Sequence, residues 1–239
     1  MRLLTFLALF IWLPVWLALA GSRMNASPTA AAKKYHCWKI DQQNMFFGDC
    51  SIYACQQAVK IVFKNGKWIN LAKAPDWQLY VLNPAGKIYC TTSLDRWKAN
   101  LLQPKTIIDM KNIELVRSHE ETRICGIPAI RLEYRMKNGR GVPRDSMSKL
   151  VYWVARDIEL PDPISHIICG NSSLPQLHAI PLRTQATGEV KKPLDTTSIT
   201  QVDMPMQFFD MPTGYKYTEK AYDVMDAGIG DIIKDMTGL

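Results

Sequence analysis

The chain contains no Cys-x-x-Cys pair, no Gly-x-Ser-x-Gly element and no histidine four residues after His119. The first absence removes the main sequence support for a zinc-finger site and for a thioredoxin-type redox centre. The second removes the nucleophile elbow of an exported hydrolase. The third means that His119-Glu120-Glu121 cannot supply two ligands from one helical face, so these read as solvated strand-end residues. Histidine is scarce altogether: there are 4, and His36, His166 and His178 stand far apart, meeting only if the fold brings them together. Gly139-Arg140-Gly141 lacks the preceding strand and following helix of a phosphate loop and reads as an exposed turn, with Arg140 and Arg144 in a basic loop. No catalytic, metal or cofactor site is therefore expected. The 29 Lys and Arg outnumber the 22 Asp and Glu but are scattered among them, which leaves nucleic-acid binding unsupported. There is no internal repeat, and no second long apolar run follows the first.

That first run sets the expected compartment. Arg2 precedes an apolar stretch from Leu3 to Leu19 broken only by Thr5 and Pro14, and Ala18-Leu19-Ala20 precedes Gly21-Ser22. A charged start, a short hydrophobic segment and small residues are the three parts of a signal peptide, here expected over residues 1–20 with cleavage after Ala20. The alternative is a retained anchor, since about 20 apolar residues can just cross a bilayer. No cysteine stands at the first mature position, which argues against a bacterial lipoprotein. A periplasmic or secreted protein is expected, touching membranes at most transiently. Residues 21–34, rich in Ala, Ser, Thr and Pro, are read as a flexible N-terminus, and 35–239 as one β-rich domain.

Cys37, Cys50, Cys55, Cys90, Cys125 and Cys169 all follow the leader. An even count in an exported chain favours disulfides, and six cysteines permit fifteen pairings. If residues 50–62 are extended, Cys50 and Cys55 lie about 16 Å apart on opposite faces and cannot bridge each other. Asn25-Ala26-Ser27 and Asn171-Ser172-Ser173 match the glycosylation acceptor pattern.

Alternating apolar residues predict antiparallel strands. Ser51 to Lys64 reads as one strand, turning at Asn65-Gly66 into Lys67–Ala72. Trp77–Asn83 turns at Asn83-Pro84-Ala85-Gly86 into Lys87–Thr91. Lys111–Glu120, Ala129–Met136, Leu150–Val154, His178–Thr187 and Thr196–Val202 follow as strands. Short helices are predicted from Ser93 to Leu102 and from Asp162-Pro163 through Ile168. Ala221, Met225, Ile229, Ile232 and Met236 fall on one face of a terminal amphipathic helix.

Read in order, Ala74-Pro75-Asp76-Trp77, Lys87-Ile88-Tyr89, Ile180-Pro181-Leu182, Thr196-Thr197-Ser198-Ile199 and Phe208-Phe209-Asp210-Met211-Pro212-Thr213-Gly214-Tyr215-Lys216 resemble the LolA-like periplasmic lipoprotein-carrier superfamily. The closing Phe-x-x-Pro-x-Gly-Tyr element resembles what uncharacterised exported relatives of that family carry. The resemblance implies an incomplete antiparallel β-barrel, mostly β within the α+β class, with helices covering a concave side that encloses an apolar cavity for lipid, an acyl chain or a lipidated protein. Six cysteines exceed the usual carrier content, and no residue here matches the family's cargo-contacting arginine. On this reading Trp77, Leu79, Val81, Ile88, Tyr152 and Val154 line the cavity, and Met204, Met206 and Phe208 form an adaptable mouth; ordinary core packing is the alternative for each. Two further functions stay open. One is an envelope module with a filled core that binds protein partners, the other a hydrolase whose residues converge from distant segments.

Overall fold

The computed structural model describes residues 33–45, 48–63, 66–94, 113–136, 150–171, 178–186, 193–219 and 223–224. The leader, the segments 95–112 and 137–149, and most of the predicted C-terminal helix lie outside these residues, as do Asn25, Arg140 and Arg144. Among the described residues no helix is long and apolar enough to cross a membrane.

Among the described residues twelve strands form one sheet: β1 (Lys34–Asn44), β2 (Gly48–Cys55), β3 (Ala58–Phe63), β4 (Trp68–Lys73), β5 (Leu79–Asn83), β6 (Ile88–Thr92), β7 (Ile113–Ile124), β8 (Ile127–Met136), β9 (Leu150–Ala155), β10 (Pro181–Ala186), β11 (Leu194–Pro205) and β12 (Lys216–Tyr217). Their order is β12-β6-β5-β4-β3-β2-β1-β11-β10-β9-β8-β7, so the sheet has two ends and is not closed into a barrel. All neighbours are antiparallel except β12, which runs parallel to β6. Among the described residues the α-helix α1 (Asp162–Asn171) starts at the predicted Asp162-Pro163 and runs past Ile168.

Two meanders of sequence neighbours, β1 to β6 and β7 to β11, meet where β1 pairs with β11. In the first meander, Ile40, Ile52, Ile61, Asn70, Val81 and Cys90 are directly opposed from strand to strand, making one row on one face. All are buried. Removing each large aliphatic side chain in this row from water contributes about 1.5–3 kcal/mol. On the reverse face Tyr35, Cys37, Cys55, Ala58, Leu71 and Leu82 form a second core, covered by Phe209. Both faces of the first meander are thus buried, which explains why its strands read as apolar on both sides.

The single strand expected over Ser51–Lys64 is two. Cys55 and Ala58 are paired across a tight turn at Gln56-Gln57, residues that carry none of the usual turn chemistry. The structure also adds β1, which the sequence reading left unassigned. Its polar Gln42 and Asn44 are buried, so the strand does not alternate between apolar and polar residues. The Gln42 amide donates to the Pro181 carbonyl at 2.8 Å and to Thr196 Oγ1 at 3.1 Å, and Thr196 Oγ1 donates to the Leu182 carbonyl at 2.6 Å. These bonds tie β1, β10 and β11 together where β10 and β11 are paired only through Arg183–Asp195 and Thr184–Leu194.

The hairpin β7–β8 turns at Cys125 and Gly126, with φ of 49° and 83°. Two successive positive φ values make the turn whose twist suits a two-residue hairpin, and glycine takes the second at no steric cost.

Candidate functional site

The nine residues predicted to line a cavity fall into three apolar clusters. Leu79 and Val81 belong to the first core, with Trp77 and Ile88 packed on its margin. Tyr152 and Val154 belong to another, formed with Cys169 of α1, Ile130, Leu132, Tyr134 and Ala179. The helix joins these two, because Ile164, Ile167 and Ile168 enter the first while Cys169 enters the other. Met204, Met206 and Phe208 pack instead against the second core, the one on the reverse face of the first meander.

A β-bulge produces that separation. Asp41 is opposite Ser198 but Gln42 is opposite Thr196, leaving Thr197 as the extra residue of β11. One inserted residue exchanges the faces of everything beyond it. Thr196 therefore shares the face of Gln42, whereas Val202 and Met204, of the same parity, stand opposite Cys37 and Tyr35 on the other face.

After β11, Met206–Phe209 makes one 3-10 turn that lies over β3 and β4. Phe209 is buried with its ring 5.7 Å from that of Tyr35, and Phe208 packs edge-on to Tyr53 at 4.8 Å. The Lys60 ammonium donates to the Phe208 carbonyl at 2.9 Å and lies 4.1 Å from the Phe208 ring centre. Burial lowers the Lys60 pKa. Lys73 pairs with Asp210 at 2.6 Å, and Gly214, at φ 79°, turns the chain into β12. The Phe-x-x-Pro-x-Gly-Tyr element is thus a strap across the second core.

A pocket of about 270 Å³ opens beside the bulge, lined by Asp41, Gln42, Gln43, Asp49, Cys50, Ser51, Val62 and Thr197. Its walls are mainly polar. Ser51 Oγ donates to Asp41 at 2.6 Å, Lys39 pairs with the other Asp41 oxygen at 3.1 Å, and Gln42 Oε1 is buried without a partner among the described residues. Of these residues the sequence reading names Cys50 as a disulfide candidate and quotes Thr197 in a resemblance motif, and it gives none of them a binding role. The Thr196-Thr197-Ser198-Ile199 stretch reads as continuous β-branched strand, so the sequence reading gives no sign of the bulge.

Among the described side chains, His36 stands apart from His166 and His178. His36 pairs with Asp203 at 3.0 Å, which raises its pKa. His178, just before β10, pairs with Asp162 of α1 at 3.0 Å, and its ring centre is 6.3 Å from that of His166. The pairing with His178 lowers the Asp162 pKa. Among the described residues no three His, Cys, Asp or Glu side chains are grouped to hold a metal ion. The side chains of His119, Glu120 and Glu121 lie outside the described residues.

In this structure Cys37, Cys50, Cys55, Cys90 and Cys125 are in the thiol form, and the Cys169 sulfur is 4.0 Å from the Ala179 carbonyl. Cys50 and Cys55 lie in one strand and enter opposite cores, as the sequence geometry requires. Burial pushes the Cys50 thiol up to about 12 and the Cys90 thiol up to about 11, from an ordinary value of 9.0. The unfolded chain releases these protons first, so stability falls as pH rises from about 9 through 11 and 12. Urea midpoints measured from pH 8 to 11 are expected to drop more steeply in the wild type than in a Cys50→Ala/Cys90→Ala variant. Equal slopes would remove this assignment.

No family model matches the chain, and a search of curated proteins finds no match. Among solved structures, an uncharacterised conserved protein from Thermus thermophilus aligns with a TM-score of 0.40 and 11% identity, covering 76% of this chain and 89% of that one.

Proposed function

We propose that the protein is an exported carrier that holds an acyl chain, as free lipid or on a lipidated protein, between the sheet and α1. The observation that carries this reading is the helix bridging two apolar clusters. Six of the nine expected lining residues, Trp77, Leu79, Val81, Ile88, Tyr152 and Val154, gather in these two clusters. An open sheet with a helix laid against it is also what an incomplete barrel requires. Trp77, Ile88 and Leu160 are only partly buried at the margin of the first core, where an entering chain meets apolar side chains. The driving force is the removal of methylene groups from water, about 0.8 kcal/mol for each one covered. Met204, Met206 and Phe208 have no part in this site, because they face the second core.

Mass spectrometry of organic extracts from gently purified protein is expected to show bound acyl species. Titration with saturated fatty acids is expected to show affinity rising roughly fourfold per methylene until the site is full. A Trp77→Ala/Ile88→Ala variant, altered only at partly buried positions, is expected to bind at least about tenfold more weakly while keeping its far-UV spectrum. An empty extract together with no fatty-acid binding by the wild type rules the carrier out.

A second reading has its own support. Leu79, Val81, Tyr152 and Val154 are packed as core, and the pocket beside Thr197 is polar. These features suit an envelope module that binds protein through its surface, for which in-cell crosslinking gives the discriminating result.

A further inference from the structure

Two cysteines are set up for each other. Along β1 and β2 the opposed pairs run from Asn44–Gly48 to Trp38–Ala54. Continued one step beyond the Trp38–Ala54 pair, this register would set Cys37 opposite Cys55. Directly opposed residues of antiparallel strands have Cα atoms about 4.5 or 5.5 Å apart, depending on the type of pair, and both separations fall within the range a disulfide spans. The side chains share the second core, at 1% and 3% exposure. Burial and, next to it, the neighbouring Cys55 thiol push the Cys37 thiol up to about 12. As thiols they have only weak partners, Cys37 donating to the Tyr35 carbonyl at 3.4 Å and Cys55 to the Ala58 carbonyl at 3.6 Å.

The other four cysteines are placed elsewhere. Cys50 and Cys90 enter the first core on the other face, Cys169 sits on α1, and Cys125 lies in the β7–β8 turn with its sulfur 3.4 Å from the Thr196 carbonyl. From this geometry we infer that Cys37 and Cys55 are joined in the mature protein by a cross-strand disulfide, and that this is its one intramolecular bridge. The oxidant is a small-molecule or protein disulfide. The thiolate of one cysteine attacks it and releases one thiol, and the second cysteine then displaces the other. Two S–H bonds are lost, one S–S bond forms, and the two electrons leave on two thiols of the oxidant. Under the Phe209 strap neither sulfur can be reached, so the bridge closes before the strap settles and is sheltered from reductants afterwards.

Reduced, denatured full-length protein, refolded in a glutathione and glutathione-disulfide mixture and alkylated in denaturant, provides the test. Trypsin cuts after Lys34, Lys39 and Lys60, so the peptide Tyr35–Lys39 is expected to emerge joined to Ile40–Lys60. Fragment ions are expected to place the link on Cys55 and the alkyl group on Cys50. Reduction of the bridge is expected to raise the unfolding equilibrium constant by on the order of a hundredfold, as the closed loop is eighteen positions long. A Cys50→Ala variant is expected to keep the link, so the outcome does not depend on substituting either partner. Alkylation of both Cys37 and Cys55, or a link from either to another cysteine, overturns the inference. Neither result bears on acyl-chain binding, which is measured separately.

Discussion

Phe209→Ala is expected to lower the free energy of unfolding by about 3–5 kcal/mol, measured by urea titration. The ring is the one fully buried anchor of the 3-10 turn, meeting Tyr35 and Phe208, so its removal opens a cavity over the second core. The polar contacts of the strap do not compensate. Lys73 and Asp210 are partly exposed, and a pair of that kind is worth about 0–1 kcal/mol. Asp210→Asn is therefore expected to cost less than about 1 kcal/mol. A loss below about 1 kcal/mol for Phe209→Ala, the level of an ordinary surface change, would mean that the strap is not a structural element.

Ile40→Asp is expected to prevent folding altogether, leaving insoluble protein or a chain without the far-UV signature of a sheet. Ile40 is fully buried on β1, between Ile52 of β2 and Ile199 of β11. A carboxylate there has no cation beside it in the first core, and an unpaired buried charge costs several kcal/mol even after relaxation. That is comparable to the whole stability of a typical domain. Ile40→Val keeps the shape of the site and is expected to cost only about 0.5–1.5 kcal/mol. A folded Ile40→Asp protein with near wild-type stability would contradict the burial of this row.

Strand existence was legible wherever local alternation and turn chemistry agreed. Ile130, Leu132 and Tyr134 alternate with Arg131, Glu133 and Arg135, and β8 is found there with two residues added at its start. Asn83-Pro84-Ala85-Gly86 turns as expected, with the Gly86 amide donating to Asn83 Oδ1 at 3.0 Å. The failures share a cause: interactions between distant segments override the local pattern. Gln42 is buried because Pro181 and Thr196, far along the chain, accept its hydrogen bonds. The Gln56-Gln57 turn is held by the β2–β3 ladder rather than by its own residues. Lys216–Tyr217 is too short to show a period and is fixed by Ile88 and Tyr89.

The same holds for the candidate site. Trp77, Leu79, Val81 and Ile88 gather in one cluster because their hairpin is local, and Tyr152 and Val154 share another because they alternate within one strand. Met204 falls on the other side because the bulge at Thr197 exchanges the faces of β11, and Met206 and Phe208 follow in the 3-10 turn over the second core. Without the bulge the parity of β11 would carry Met204 to the face shared by Thr196 and Gln42.

The pairing of β1 with β11 also governs the order in which the molecule can assemble. Residues 34–44 wait for residues 194–205, so an N-terminal fragment emerging from synthesis can build the meander from β1 to β6 but leaves one flank of β1 bare. Joining such remote segments carries a large entropic toll before any contact rewards it, and chains that depend on it fold in milliseconds to seconds rather than microseconds. Pairing at the seam between the halves is therefore expected to come late, and until then one edge of β1 is left open to other strands.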